Sequence, residues 1–173
     1  MAEAAGYTAV AAGNISPSAL TALTTALEQD ALPEVWVLEL SSFQLESTYS
    51  LAADAAVVLN LSQDHLDWHG SMQAYAAAKA RIFKGASITI VNRDDPLVME
   101  MVSGLEDMQV RSFGKGVPKY EGDLGLEESD GIEWLAAVPV AEAEPTTSSG
   151  RRKAVVTPVR RVGSAQRLMP TEA

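Results

Sequence analysis

The apolar residues of this 173-residue chain come in short runs separated by polar, helix-forming stretches. "EVWVLEL" (Glu34 to Leu40), "AAVVLNL" (Ala55 to Leu61), "SITIVN" (Ser87 to Asn92) and "MQVRSFG" (Met108 to Gly114) are brief and bounded by turn residues. Near-continuous runs of this length read as strands buried on both faces. Helical patterns lie around them. In "ISPSALTALTTALEQD", Ser16 is the expected cap and Pro17 the first helical residue; Leu20, Leu23 and Leu27 form a stripe expected to face a core. "SMQAYAAAKARIFKG" opens on Ser71 as a cap, is rich in alanine and stops at Gly85. "DDPLVMEMVSG" predicts a short helix ended by Gly104.

Strands alternating with helices predict an α/β fold with a mostly parallel sheet flanked by helices. The pattern changes after Gly122. "DLGLEESDGIEWLAA" reads as a hairpin around Ser-Asp-Gly, expected at the edge of that sheet. Residues 1–137 then form one partial domain. Residues 138–167, rich in Pro, Ser, Thr and Arg, read as a flexible insertion or linker. Residues 168–173 read as the start of a further segment.

Charge narrows the partners. The net charge is −10, but six of the 13 basic side chains lie in 151–167. Residues 1–150 carry seven bases against 22 acids, a net −15. A body this acidic disfavours nucleic acid, which needs a basic footprint. The basic stretch has no aromatics to stack on bases and reads as a solvated linker. There is no cysteine, so disulfides and thiolate metal sites are excluded, in keeping with a cytoplasmic setting. No apolar run reaches the roughly 18 residues that a membrane span needs, so no insertion is expected.

Open parallel sheets gather ligands at the carboxyl ends of their strands. That rule selects Glu39, Ser41 and Ser42 after the first run, and Asn60, Ser62, Asp64 and His65 after the second. Tyr75 and Lys79, four apart, share a face of the following helix. A carboxylate within a buried strand is costly unless something compensates it, so Glu39 asks for a partner. With His65 it suits a divalent cation; the residues alone leave magnesium and zinc open. Each group also has an ordinary role. His65 and His69 suit local hydrogen bonds, Asp64 and Asp67 suit turns, and Lys79 suits a solvated helix face. Tyr75 suits a core or rim, and Glu46 an exposed helical turn. "AAGNIS" is a small-residue turn entering a helix. "FGKG" around Lys115 is not a P-loop, and none occurs elsewhere in the chain.

Taken in order, "GNISPSAL", "ELSSFQLE", "LNLSQDHLDWHGSMQAYAAAKARIF" and "VNRDDP" resemble the central domain of the Mur ligases over about residues 8–137. The likeness is greatest to the branch that adds D-glutamate to UDP-N-acetylmuramoyl-L-alanine for peptidoglycan. It implies a cytoplasmic, ADP-forming ligase that uses ATP and Mg2+ and is a monomer when intact. Matched motif by motif, Glu39 and His65 are implied as magnesium ligands. Lys79 corresponds to a lysine that the family carbamylates, while Asn14, Ser41 and Gln44 correspond to contacts with the sugar nucleotide. Ser16 and Gln63 depart from the commoner Gly and Glu. The family's P-loop is absent, which implies a fragment of the enzyme with negligible activity alone. Other readings are a different Mur ligase, a folylpolyglutamate synthase relative, or a non-catalytic binding remnant.

Overall fold

The computed structural model describes residues 1–103, 109–140 and 161–171. The expected stop at Gly104 and the linker character of 141–160 lie outside the described residues. The chain divides into two compact units, Met1–Tyr49 and Ser50–Ala173.

The first unit is a parallel pair of strands with helices. Strand β1 (Ala9–Gly13) pairs with β2 (Val35–Glu39) from Ala9↔Val35 to Gly13↔Glu39. Parallel strands need a crossover, and helix α1 (Ala19–Glu28) supplies it. The strand character of β1 had no counterpart in the sequence reading, because its alanines carry little β propensity. Helix α1 also starts later than expected. Ser18, not Ser16, is the cap, and its hydroxyl accepts from the Thr21 amide at 3.2 Å. Pro17 stays outside the helix, where its carbonyl accepts from the Gly13 amide at 3.1 Å.

The stripe on α1 is a second correction. Leu20, Leu23 and Leu27 are 70, 39 and 57% exposed, whereas Ala22 and Ala26 are buried. The helix presents its small residues inward. A cleft of about 430 Å³ remains between it and β1, lined in part by Thr8, Val10, Ala22, Ala26 and Leu32. The unit ends in the short helix α2 (Ser42–Glu46).

The second unit holds the larger core. Strands β3 (Ala55–Val58), β4 (Ile88–Asn92) and β5 (Gln109–Phe113) form a parallel sheet in that order. Two helices follow β3: α3 (Leu66–His69) and α4 (Met72–Ala80). Ser71 caps α4 as expected, accepting from the Ala74 amide. A 3-10 turn (Arg81–Phe83) and Gly85, at φ 77°, end the segment. Helix α5 (Pro96–Glu100) follows β4. Ala56, Val58, Leu61, Tyr75, Phe83, Val91 and Val98 pack into one buried cluster. At about 25 cal/mol per Å² of apolar surface removed from water, such a cluster is the main stabilising element of its unit.

The hairpin is present but differs in setting. Strands β6 (Leu124–Ser129) and β7 (Ile132–Ala137) pair antiparallel around Asp130 and Gly131, both at positive φ. That is the backbone a two-residue hairpin turn of matching twist requires. It is not an edge of the parallel sheet. A third strand, β8 (Gln166–Pro170), pairs with β7, giving a separate three-stranded antiparallel sheet. Gln166 and Arg167, placed in the linker by composition, therefore belong to a strand, and Arg167 meets Glu127 at 3.0 Å. Buried Asp123 joins β5 to this sheet by accepting from the Ser112 amide at 2.7 Å and the Tyr120 amide at 3.3 Å.

Candidate functional site

The first unit collects four of the predicted residues at the carboxyl ends of β1 and β2. Glu39 is the last residue of β2 and is exposed, so it bears none of the cost of a charge buried within a strand. Its carbonyl accepts from the Asn14 amide at 2.7 Å, which fixes Asn14 beside it. Gly13 makes that approach possible. Its φ is 128°, and a β-carbon there would overlap the Glu39 carbonyl.

Ser41 and Gln44 engage each other. The Ser41 hydroxyl accepts from the Gln44 amide at 3.3 Å, while Gln44 Oε1 accepts from the Ser41 amide at 2.9 Å and its hydroxyl at 3.1 Å. This reciprocal capping box starts α2 immediately after the strand. The spacing Ser-x-x-Gln is readable in "SSFQ", yet the sequence reading used those residues for substrate alone. Ser42 and Leu45 are buried beneath the turn and hold it down, while Glu46 is exposed as expected.

The second unit collects the imidazole, the tyrosine and the lysine. His65 stands at φ 52° before α3, and its carbonyl accepts from the Trp68 and His69 amides. Asp64 is more than a turn residue. Its Oδ1 accepts from the His65 amide at 2.8 Å, and its Oδ2 lies 3.3 Å from His65 Nε2. A carboxylate at this distance favours an imidazole N–H directed at it. The Tyr75 ring meets His65 edge-on at 6.4 Å between centroids and His69 at 5.3 Å. Burial, and then the charge of Asp64, push the Tyr75 hydroxyl above its ordinary pKa. Lys79 lies one turn beyond Tyr75 on α4 and is half-buried rather than fully solvated.

Glu39 therefore belongs to the first unit, and His65 and Lys79 to the second. Among the described residues no group of three or more His, Asp or Glu side chains gathers to hold a metal ion. The Glu39 carboxylate and the His65 imidazole are each a donor type that a divalent cation accepts. They do not make up the closed four-ligand set of structural zinc.

Residues 92–95 carry contacts the sequence reading did not assign. Arg93 donates to four carbonyls, those of Gly114, Lys115, Gly116 and Leu124. Asp94 accepts from the Lys115 amide at 2.6 Å. The loop around Lys115 is thus held by side chains at the end of β4, and the Gly-Lys-Gly there serves a turn. Among the described residues no helix is long and apolar enough to cross a membrane.

Comparison with known proteins agrees with this arrangement. Residues 1–140 match the family described as Mur ligase middle domain. A UDP-N-acetylmuramoylalanine--D-glutamate ligase of Bordetella pertussis is 59% identical over 172 residues, covering 99% of this chain and 34% of that protein. A protein of the same name from Paraburkholderia xenovorans is 47% identical over 175 residues, with the same coverage of each. A solved structure of UDP-N-acetylmuramoyl-L-alanyl-D-glutamate--2,6-diaminopimelate ligase matches with a TM-score of 0.53 and 25% identity. The match covers 79% of this chain and 32% of that one. The chain spans about a third of the length of the curated relatives it matches. The match over residues 1–140, together with a parallel α/β fold that carries the motif residues at its strand ends, shows that this chain belongs to the Mur ligase middle-domain family.

Proposed function

We propose that this chain supplies a metal- and substrate-binding part of an ATP-dependent ligase that joins D-glutamate to UDP-N-acetylmuramoyl-L-alanine. The observation that carries the reading is the near-complete coverage of this chain by relatives named for D-glutamate ligation. Those relatives resemble it far more closely than the diaminopimelate ligase does, so the D-glutamate branch is preferred within the family.

In this reading the γ-phosphoryl group of ATP passes to the substrate carboxylate, giving an acyl phosphate and ADP. The amine of D-glutamate then attacks the acyl carbon, an amide bond forms, phosphate leaves and the amine gives up a proton. Magnesium, when bound, neutralises the anionic oxygens of the phosphates. Glu39 and His65 are assigned as its ligands, and the Asp64 carboxylate orients the His65 ring. Lys79 is assigned as a carbamate: its ammonium gives up one proton, and the free amine takes up carbon dioxide and gives up a second, which turns a cation into an anionic oxygen donor. Asn14 and Ser41, with Gln44, are assigned to the sugar nucleotide. In Ser41 and Gln44 the capping box fixes the side chains before substrate arrives, so little ordering entropy is left to lose on binding.

A cytoplasmic monomer without nucleic-acid or membrane contacts completes the reading. The chain has no P-loop to cradle ATP phosphates, so alone it is expected to release negligible phosphate. The test is to exchange the matching third of the Bordetella pertussis relative for this chain. Phosphate release is then followed with ATP, magnesium, D-glutamate and the sugar nucleotide. Turnover close to that of the relative is expected. A folded, ATP-binding chimera that turns over no D-glutamate would refute the reading. Glu39→Gln or His65→Ala should abolish turnover; Lys79→Ala should lose it with partial recovery by short carboxylates. Ligand binding unaltered by the loss of Glu39 or His65 would favour a non-catalytic remnant.

A further inference from the structure

One carboxylate outside the assigned site reaches into the loop that carries His65. Asp95 Oδ2 accepts from the Leu61 amide at 2.7 Å, across 34 residues of sequence. Its Oδ1 accepts from the amides of Leu97 at 3.0 Å and Val98 at 3.3 Å, capping α5. We propose that Asp95 is a positioning residue, tying the Leu61 backbone to α5 and thereby setting the path of the His65 loop. Two features make the tie matter. Leu61 stands past the last ladder pair of β3, Val58↔Val91, and its own side chain is buried in the core with Val98 and Tyr75. Its amide therefore has no strand partner, and an unpaired N–H in apolar surroundings is costly. Charge-assisted bonds to backbone amides are short and strong, and this is the shortest of the three.

The intervening residues, Ser62, Gln63 and Asp64, are exposed. The loop is thus fixed at two points: at Leu61 by Asp95, and at His65 by Asp64 and by the Tyr75 ring. Releasing the first point frees the strand exit while the second remains. The importance of the tie for metal binding rests on the proposed role of His65; the tie itself does not.

Asp95→Asn separates the two duties of the carboxylate. Asparagine is an equally good helix cap through its single oxygen, but its amide nitrogen cannot accept from Leu61. The experiment is NMR on the full 173-residue chain, whose two histidines keep the ring signals simple. In Asp95→Asn the Leu61 amide should exchange at least tenfold faster and the His65 ring signals should shift. The Leu97 and Val98 amides should keep their protection, because asparagine still caps α5, so a role confined to the cap would leave Leu61 exchange unchanged as well. Unchanged Leu61 exchange with unchanged His65 signals would overturn the proposal. Asp95→Ser, with one capping hydroxyl, decides the point should the first variant not fold. Manganese added alone tests the other reading. Broadening of the His65 ring in the parent chain supports its role as a ligand, and its absence removes that role while the exchange data still judge the tie.

Discussion

Gly13 leaves room for the carbonyl oxygen of Glu39: a β-carbon on that glycine would lie inside the oxygen's contact distance, and the backbone there has φ 128°. Both facts penalise any side chain. The left-handed region alone costs an ordinary residue about 1–3 kcal/mol. The overlap is with backbone, which cannot rotate away. Gly13→Ala should therefore destabilise the first unit by about 2 kcal/mol or more. Trp36 in β2 reports the loss by fluorescence during urea unfolding, in a background where Trp68 and Trp134 are phenylalanine. A midpoint that does not move would show that β1 and β2 separate more easily than their register suggests.

The capping box separates structure from recognition at Ser41 and Gln44. Ser41→Ala removes a hydroxyl that accepts from the Gln44 amide and donates to Gln44 Oε1. A cap of this kind is worth about 1 kcal/mol, and Gln44→Ala should cost somewhat less because the Ser41 hydroxyl still accepts. In the chimeric ligase, a residue that merely caps should lower stability and leave the KM for the sugar nucleotide unchanged. One that touches substrate should raise KM by more than the stability loss explains. Measuring both quantities on each variant decides the assignment.

The leucines of α1 give a prediction of much smaller magnitude than that of a core stripe. Burial would make a leucine-to-alanine change cost about 2–5 kcal/mol. With Leu20 70% and Leu27 57% exposed, Leu20→Lys and Leu27→Lys should each cost about 0.5 kcal/mol or less in this chain. They should also reduce self-association, because exposed apolar patches favour it. Thermal unfolding and sedimentation on the double variant test the two parts together.

The exposure of these leucines shows what the chain's own pattern carries. Strand positions were legible where β-branched residues run together, as in "AAVV" and "ITIV", because such residues favour the extended backbone; the expected burial on both faces does not hold for β3, where Ala55 and Val57 are exposed. The alanine-rich β1 was not, since nothing in "AVAAG" distinguishes a strand from a helix turn. Periodicity located α1 but chose the wrong face: it records where leucines lie, not whether a neighbour exists to cover them. At the site, Glu39, His65 and Lys79 were selected by strand-end position and motif. The Asp64 tie to His65 and the Asp95 tie to Leu61 were not legible. The first looks like any turn aspartate, and the second is a contact between residues 34 apart that only the fold brings together.

Arg93 holds the loop after β5 through bonds of 2.6 to 3.3 Å to four carbonyls on two segments, Gly114 to Gly116 and Leu124. The planar guanidinium can reach several acceptors at once, whereas a lysine offers one compact ammonium. Arg93→Ala should cost about 1–3 kcal/mol, at the low end for each bond because much of the site is exposed. Arg93→Lys should recover less than half of it. Gly125 supplies an independent check, since a β-carbon there would meet both the Gly116 carbonyl and the Arg93 guanidinium. Gly125→Ala should therefore displace Arg93 and cost less in the Arg93→Ala background, where the overlap with the Gly116 carbonyl alone remains, a coupling that a double-mutant cycle reads directly. Trp134 in β7 follows the unfolding. Additive losses would mean that the two residues act on separate parts of the loop, and that Arg93 is not what keeps the Gly-Lys-Gly turn in place.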